Sequence, residues 1–211
     1  MANPDFKNMH FKDIEFAYVH LDQPTVFDMI ENSSKKVDPS HPGAKYSLTF
    51  TLSAQDGQKF ATDCLQHFNE RKAESKKINT DFGAVHGMKI RDDGLYQVTV
   101  SRKAVNAGGQ QSAEIPVIDG NGDAVADRGF MGGSRGTVLF SVYPAPNPSS
   151  GRWGVSLGLL KVQLLKRGVG GGDDADIFDV APRDEVFGLP PVASPASASA
   201  AAAIIDDDIP F

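Results

Sequence analysis

The chain is poor in the residues and segments that several common classes of protein require. Its only cysteine is Cys64, which excludes an internal disulfide framework and a cysteine-rich zinc site. It has no apolar run of about 18 residues, so no transmembrane helix is predicted. Residues 1–16 carry charges throughout and lack the apolar core of a signal peptide. We therefore expect a cytoplasmic protein without a membrane partner.

The chain also lacks the usual motifs of nucleotide-binding and metal sites. The glycine-rich stretches 107–109 and 132–136 lack the Lys-Ser/Thr pair of a phosphate-binding P-loop. Cys64 and His67, three residues apart on a predicted helix, supply two metal ligands where zinc takes four.

An acidic stretch at 119–123 resembles the start of a calcium-binding EF-hand loop. Its sixth position is Ala124 rather than glycine, and its twelfth is Phe130 rather than glutamate, so a glycine-rich turn is favoured. We expect no enzyme activity, no cofactor and no metal site. A metal-dependent nuclease that uses Asp119, Asp123 and Asp127 is kept as a competing hypothesis.

Charge is distributed unevenly along the chain. Residues 173–211 carry nine acidic residues and one basic residue, a net charge of −8. Residues 1–172 carry 20 basic and 18 acidic residues, a net charge of +2. The total charge of −6 therefore does not exclude a nucleic-acid partner, because binding to phosphates depends on a basic face rather than on the whole-chain sum.

The chain ends in three carboxylates and an apolar tripeptide, Asp206-Asp207-Asp208-Ile209-Pro210-Phe211. A small apolar pocket with a basic rim can capture a terminal phenylalanine together with its α-carboxylate. This ending resembles the C-terminal tip of bacterial single-stranded DNA-binding proteins, which recruits replication and repair proteins. The residues of this predicted protein-interaction tip are Asp206, Asp207, Asp208, Ile209, Pro210 and Phe211.

The hydrophobic pattern predicts a mainly β fold with one helix. Period-two alternation is clearest at 46–52, and Phe60, Cys64, Leu65 and Phe68 form one apolar stripe of a helix. About six strands with one helix favour an OB-fold, a partly open Greek-key barrel of five or six strands; a β-sandwich is the alternative. The predicted strands are 11–21, 46–52, 95–100, 114–118, 137–143 and 153–165; the predicted helix is 54–77, and 22–43 is predicted to be mainly loop.

The composition changes near Gly168. Glycine and aspartate dominate 170–174, and 189–203 is a low-complexity stretch of alanine, serine and proline that cannot build a core. We expect one domain at 1–168 and a flexible acidic tail at 169–211. As a flexible coil, residues 170–203 would span roughly 30–35 Å, so the tip can reach a partner or return to its own domain.

Several short motifs are spread over the chain in a fixed order. They are 42–46 leading into Leu48-Thr49, the long helix that follows, Asp93-Gly94, 115–119, 132–134, 141–144, 154–157 and 170–174. Together they resemble the single-stranded DNA-binding proteins of lytic tailed phages, which have an OB-fold and an acidic tail. The final six residues depart from that family, because they are of the bacterial type.

Binding of single strands without sequence preference needs basic residues for the phosphates and aromatic faces for the bases. We assign Phe50, Phe60, Phe68 and Phe140 to the core from their periodic positions. The aromatic residues at the ends of predicted strands, with nearby basic residues, are the candidates for binding DNA. They are Lys45, Tyr46, Lys89, Arg91, Tyr96, Arg102, Lys103, Arg128, Arg135, Tyr143, Arg152 and Trp153.

The resemblance implies sequence-independent binding of single-stranded DNA in phage replication, recombination and repair, in an infected bacterial cell. The tail is expected to recruit polymerase, helicase-primase or nuclease of phage or host, and to compete with DNA. The alternative is an adaptor that acts through the tip and whose β-domain does not bind DNA. The sequence leaves a homodimer open.

Overall fold

The computed structural model describes residues 5–168, except 29, 32, 107, 148 and 149. The predicted tail, 169–211, and its tip lie outside the described residues. No helix in the described part of the chain has the length and apolarity needed to cross a membrane. The strands are β1 (Lys7–Asp28), β2 (Ser33–Lys36), β3 (Lys45–Leu52), β4 (Met88–Ile90), β5 (Tyr96–Lys103), β6 (Val117–Ile118), β7 (Arg135–Pro146) and β8 (Trp153–Lys166); the helix is α1 (Ala54–Glu74).

Five strands close into a barrel. β1 pairs with both β3 and β7, β3 pairs with β5, and β8 pairs with β7, all antiparallel. A parallel bridge between Ser101 and Gly158 joins β5 to β8 and completes the circle. This is the strand order of an OB-fold, with α1 between the second and third barrel strands. The predicted fold is confirmed, and closure excludes the sandwich.

The first strand is twice as long as predicted, because bulges allow it to pair with two neighbouring strands. Its first half pairs with β7 and its second half with β3, and the register shifts at three places along its length. Pro24, which favoured a loop, lies inside the shift between His20 and Thr25, where a ladder hydrogen bond is not required. The end of β1 then forms a hairpin with β2.

Other element boundaries differ by a few residues. The predicted strand 114–118 is reduced to the two residues of β6, and 22–43 contains β2 and the end of β1. Helix α1 ends three residues earlier than predicted, where Ser75 adopts an extended conformation and its N–H bonds to the carbonyl of Arg71. At the other end, the Ser53 hydroxyl accepts the N–H of Asp56, which satisfies one of the unpaired donors of the first turn.

Aromatic residues fill the barrel and attach the helix to it. Phe50, Phe60, Phe68 and Phe140 are all buried, as predicted. Phe60 of α1 meets Phe140 of β7 edge-to-face, with ring centroids 5.8 Å apart. Cys64 lies on the same buried stripe, and burial raises the pKa of its thiol to about 12, which leaves it without nucleophilic character at neutral pH.

Candidate nucleic-acid interface

The outer surfaces of β1, β3 and β5 form one polar face, here called the front face. Cα partners run across it in rows, with Tyr18 opposite Thr49 and Thr49 opposite Thr99. The next row joins His20, Ser47 and Ser101, and the residues between these rows point into the core. The front face consists of Tyr18, His20, Lys45, Ser47, Thr49, Gln97, Thr99, Ser101 and Lys103.

Tyr18 is the exposed aromatic residue of the front face, and the sequence analysis missed it. Phe16 is fully buried and pairs with Phe50, so simple alternation would also turn Tyr18 inward. A bulge between these two residues shifts the register, and Tyr18 pairs with Thr49 instead. The bulge turns its side chain outward and leaves it 61% exposed.

A groove of about 580 Å³ lies beside Tyr18, between β1 and β4. Lys89 and Arg91 supply positive charge to its wall, and Arg91 also pairs with Asp93 at 2.9 Å. Asp92 and Asp93 also line the groove, so its four charged side chains sum to zero, and Tyr18, Ile90 and Gln97 add an aromatic ring, an apolar side chain and an amide. Such a lining suits a ligand with both charged and flat apolar parts.

Two lysines meet at the other end of the front face. Lys45 and Lys103 are direct Cα partners on adjacent antiparallel strands, where side chains of opposed residues lie close together. Neither forms an ion pair with a carboxylate of the described residues. Opposed like charges destabilise a sheet, and an anion between them would relieve the repulsion. This pair is therefore a candidate phosphate site.

Of the predicted DNA-binding residues, Tyr46 points into the barrel, Arg102 is partly exposed but lies off the front face, and Tyr96 packs against the helix. Tyr46 alternates with Leu48 and Phe50 and is 5% exposed, so it has no open face for a base. Arg102 is opposite Tyr46 and lies on the other side of β5 from Lys103. Tyr96 covers Gly57 of α1, whose missing side chain leaves room for the ring.

Four other predicted residues lie away from the front face. Arg128 pairs with Glu114 at 2.6 Å, and Arg135 pairs with Asp13 at 3.1 Å. Arg152 and Trp153 lie where β8 begins, and the Trp153 carbonyl accepts the N–H of Gly83 at 2.8 Å. Trp153 is partly buried against the core.

Tyr143 lies on the outer side of β7, around the barrel from the front face. Its ring contacts Phe6, with centroids 4.9 Å apart, and burial raises its pKa. Of the twelve predicted residues, the structure thus brings four together with Tyr18: Lys45, Lys89, Arg91 and Lys103.

Two of the three acidic residues of the nuclease hypothesis are engaged locally. One carboxylate oxygen of Asp119 accepts the backbone N–H groups of Asn121 and Asp123, at 2.8 and 2.9 Å. Asp127 pairs with Arg167 at 2.6 Å, and the Gly129 N–H and Arg167 hold its pKa below the usual range. Between residues 5 and 168, no group of three acidic, histidine or cysteine side chains is arranged around a metal position.

Comparison with known proteins identifies the fold. No protein-family model and no curated protein sequence matches the chain. Among solved structures, the chain is similar to gp2.5, a single-stranded DNA-binding protein of bacteriophage T7. The TM-score is 0.52 at 20% identity, and the match covers 90% of this chain and 98% of that one. The fold is that of phage single-stranded DNA-binding proteins.

A second solved structure is the single-stranded DNA-binding protein of bacteriophage Enc34 in complex with single-stranded DNA. The TM-score is 0.54 at 12% identity, and the match covers 82% of this chain and 96% of that one. In OB-folds, oligonucleotides bind on the second and third strands and on the loops that follow the first and fourth. Those strands are β3 and β5 here, so the front face occupies the usual binding position of this fold.

Proposed function

We propose that the protein binds single-stranded DNA without sequence preference through the front face. The observation that carries the proposal is the combination of Tyr18, exposed by a bulge, with the opposed pair Lys45 and Lys103 on the surface where OB-folds bind oligonucleotides. The likeness to a phage protein solved with single-stranded DNA supports it. No reaction and no cofactor enter the proposal.

The front face and the groove beside Tyr18 have distinct roles in this binding. Lys45 and Lys103 hold phosphate at one end, and Lys89 and Arg91 hold it along the groove. Tyr18 stacks on a base, and stacking tolerates any base because every base has a π-face. Between these points the strands present hydroxyls and an amide, with Thr49 and Thr99 joined by a hydrogen bond of 2.9 Å.

The proposed biological role is the coating of transient single strands during phage replication, recombination and repair, in the cytoplasm of an infected bacterium. Coating would protect the strand and remove hairpins. The tip, Asp206–Phe211, would recruit replication and recombination proteins of phage or host by end-capture of Phe211. A tip on a flexible tail of 169–211 can do this while the domain stays on DNA.

The tail has a second proposed role as a competitor of DNA. Its charge of −8 and its terminal phenylalanine imitate phosphates and a base. Tethering gives such a segment an effective concentration of about a millimolar, enough to occupy the front face when DNA is absent. Removing 173–211 should then tighten DNA binding.

The competing function is an adaptor that acts through the tip alone. The acidic ending favours it, because end-capture does not require a DNA-binding domain. The two functions differ in one property: only the first predicts retention on single-stranded DNA that weakens with salt.

The test is binding of labelled oligo-dT to the full chain and to residues 1–172 across a salt series. The proposal predicts affinity that falls linearly on logarithmic axes, with a slope of about −0.7 per phosphate contact, and tighter binding by the truncated chain. If neither the full chain nor residues 1–172 bind oligo-dT, the adaptor remains as the proposed function. Equal or weaker binding by the truncated chain would remove the competing role of the tail but not the DNA-binding function.

A further inference from the structure

A second surface on the barrel combines aromatic rings with small and basic residues. It is formed by the outer sides of β7, β8 and the first part of β1, and is here called the back face. Its rows are Asn8–Ser141–Gly158 and His10–Leu139–Lys161, and the alternate residues Val138, Phe140 and Val142 are fully buried. The back face consists of Phe6, Asn8, His10, Leu139, Ser141, Tyr143, Ser156, Gly158 and Lys161.

Phe6 and Tyr143 form an aromatic pair on the back face. Their ring centroids are 4.9 Å apart and their planes are tilted by 37°. Phe6 remains 47% exposed although it is in contact with Tyr143. The preceding residue, Asp5, is held because its carbonyl oxygen accepts a hydrogen bond from Nε2 of His67 at 3.2 Å. The pair therefore presents an anchored aromatic ring to solvent.

The charge of the back face suits a polyanion. None of its nine residues is acidic, and Lys161 forms no ion pair with a carboxylate of the described residues. Helix α1, another exposed surface, carries the acidic residues Asp56, Asp63, Glu70 and Glu74 beside the basic residues Lys59, Arg71 and Lys72. A protein surface with an exposed ring, a lysine and no carboxylate has the composition of a single-strand binding track.

The back face is continuous with the front face. Gly158 is the Cα partner of both Ser141 on β7 and Ser101 on β5, and Ser101 is the partner of Ser47 on the front face. The row that crosses this seam therefore consists of serines and a glycine. The Ser141 hydroxyl and the Tyr143 ring lie over Gly158, 2.6 and 3.3 Å from the position that a Cβ there would take, so a strand that crosses the seam runs over the ring of Tyr143.

We propose that a single strand longer than the front face continues across the Ser101–Gly158 seam and stacks a base on Phe6. Tyr143 supports the Phe6 ring from beneath, and Lys161 contacts phosphate. The inference rests on the proposed function, because it extends the same ligand. The binding site is then longer than the front face alone, and only long strands reach Phe6.

The test compares two lengths of oligo-dT, about 6 and about 16 nucleotides, the range of site sizes found for single OB-folds. Phe6→Ala should weaken binding of the long oligonucleotide by roughly 5- to 150-fold and leave the short one unchanged. Unchanged affinity for the short oligonucleotide also shows that the variant is folded. Leu65→Ala, which removes an exposed apolar side chain from α1, should change neither affinity.

Phe6→Trp gives a direct readout. Its added fluorescence should be quenched by the long oligonucleotide and not by the short one, because a stacked base quenches tryptophan only on contact. Equal affinities of Phe6→Ala and the parent chain for the long oligonucleotide would overturn the inference, as would equal losses at both lengths. If the parent chain binds neither oligonucleotide, the proposed function itself fails.

Discussion

Lys45 and Lys103 lie directly opposite each other on β3 and β5, and no carboxylate of the described residues pairs with either. Opposed like charges on neighbouring strands cost stability. The row continues to β2, because Thr25 is the Cα partner of both Lys45 and Lys36. Lys36 pairs with Asp22 at 2.9 Å, so Lys45 and Lys103 are the members of this row without a carboxylate partner among the described residues. We propose that they hold a phosphate of the bound strand.

Replacing one of these lysines should therefore separate stability from binding. Lys103→Met should raise the free energy of unfolding by a few tenths of a kcal/mol, because the repulsion with Lys45 disappears. The same variant should bind oligo-dT more weakly, with a salt slope smaller by about one. Urea denaturation and a salt titration measure the two effects. Lys59→Met, on the exposed side of α1, is the control and should leave the salt slope unchanged.

Tyr18 should contribute by its ring rather than by its hydroxyl. Tyr18→Ala should weaken oligo-dT binding by about 5- to 150-fold, the range for loss of one stacked base. Tyr18→Phe should stay close to the parent chain. Fluorescence anisotropy at fixed salt measures both. If Tyr18→Phe lost as much affinity as Tyr18→Ala, the contribution of Tyr18 would come from a hydrogen bond of its hydroxyl and not from stacking.

His20 should make binding depend on pH. Burial lowers its pKa, the Asp22 carboxylate opposes that shift, and Lys36 adds to it. The histidine is therefore neutral at neutral pH, and the fold loses stability as the pH falls and the buried ring must be charged. DNA phosphate on the front face would favour the charged ring, so binding would take up a proton.

At constant salt, the affinity for oligo-dT should rise as the pH falls from about 7.5 to about 6, the range in which histidine titrates. His20→Asn should flatten this dependence, and His41→Asn, in an exposed loop, should preserve it. An equally steep pH dependence in His20→Asn would place the responsible group elsewhere.

Gly57 should be required for the contact between α1 and β5. A Cβ at this position would overlap the ring of Tyr96. Gly57→Ala should destabilise the protein by roughly 1–3 kcal/mol, which exceeds the gain of about 1 kcal/mol from better helix propensity. Gln58→Ala, the exposed neighbour, should stay within about 0.5 kcal/mol. Thermal unfolding followed by circular dichroism would contradict the account if the two variants had equal Tm values.

The elements of the fold followed from local patterns. Alternation predicted the strands β3 and β5, and an apolar stripe predicted α1, because each of these segments buries residues at the spacing of its own period. The length of β1 did not follow, because its bulges and Pro24 interrupt the period on which a strand prediction depends.

The site was predicted only in part. The reason is again that bulges change which strand residues face the core. A bulge of one residue turned Tyr18 outward, and nothing in the local sequence marks it. The burial of Tyr46 could have been predicted from the sequence, because Tyr46 alternates with Leu48 and Phe50 in the predicted strand. Arg102 and Lys103 are neighbours in sequence and therefore point to opposite sides of β5.

The most direct test of the account is photocrosslinking of oligo-dT that carries 5-iodouracil to the full-length protein, followed by mass spectrometry of the linked peptides. If the front face binds single-stranded DNA, the strongest crosslink will be on Tyr18, and unlabelled oligo-dT will compete for it. Crosslinks confined to α1 or to the loop 119–128, with none on the front face, would contradict the account.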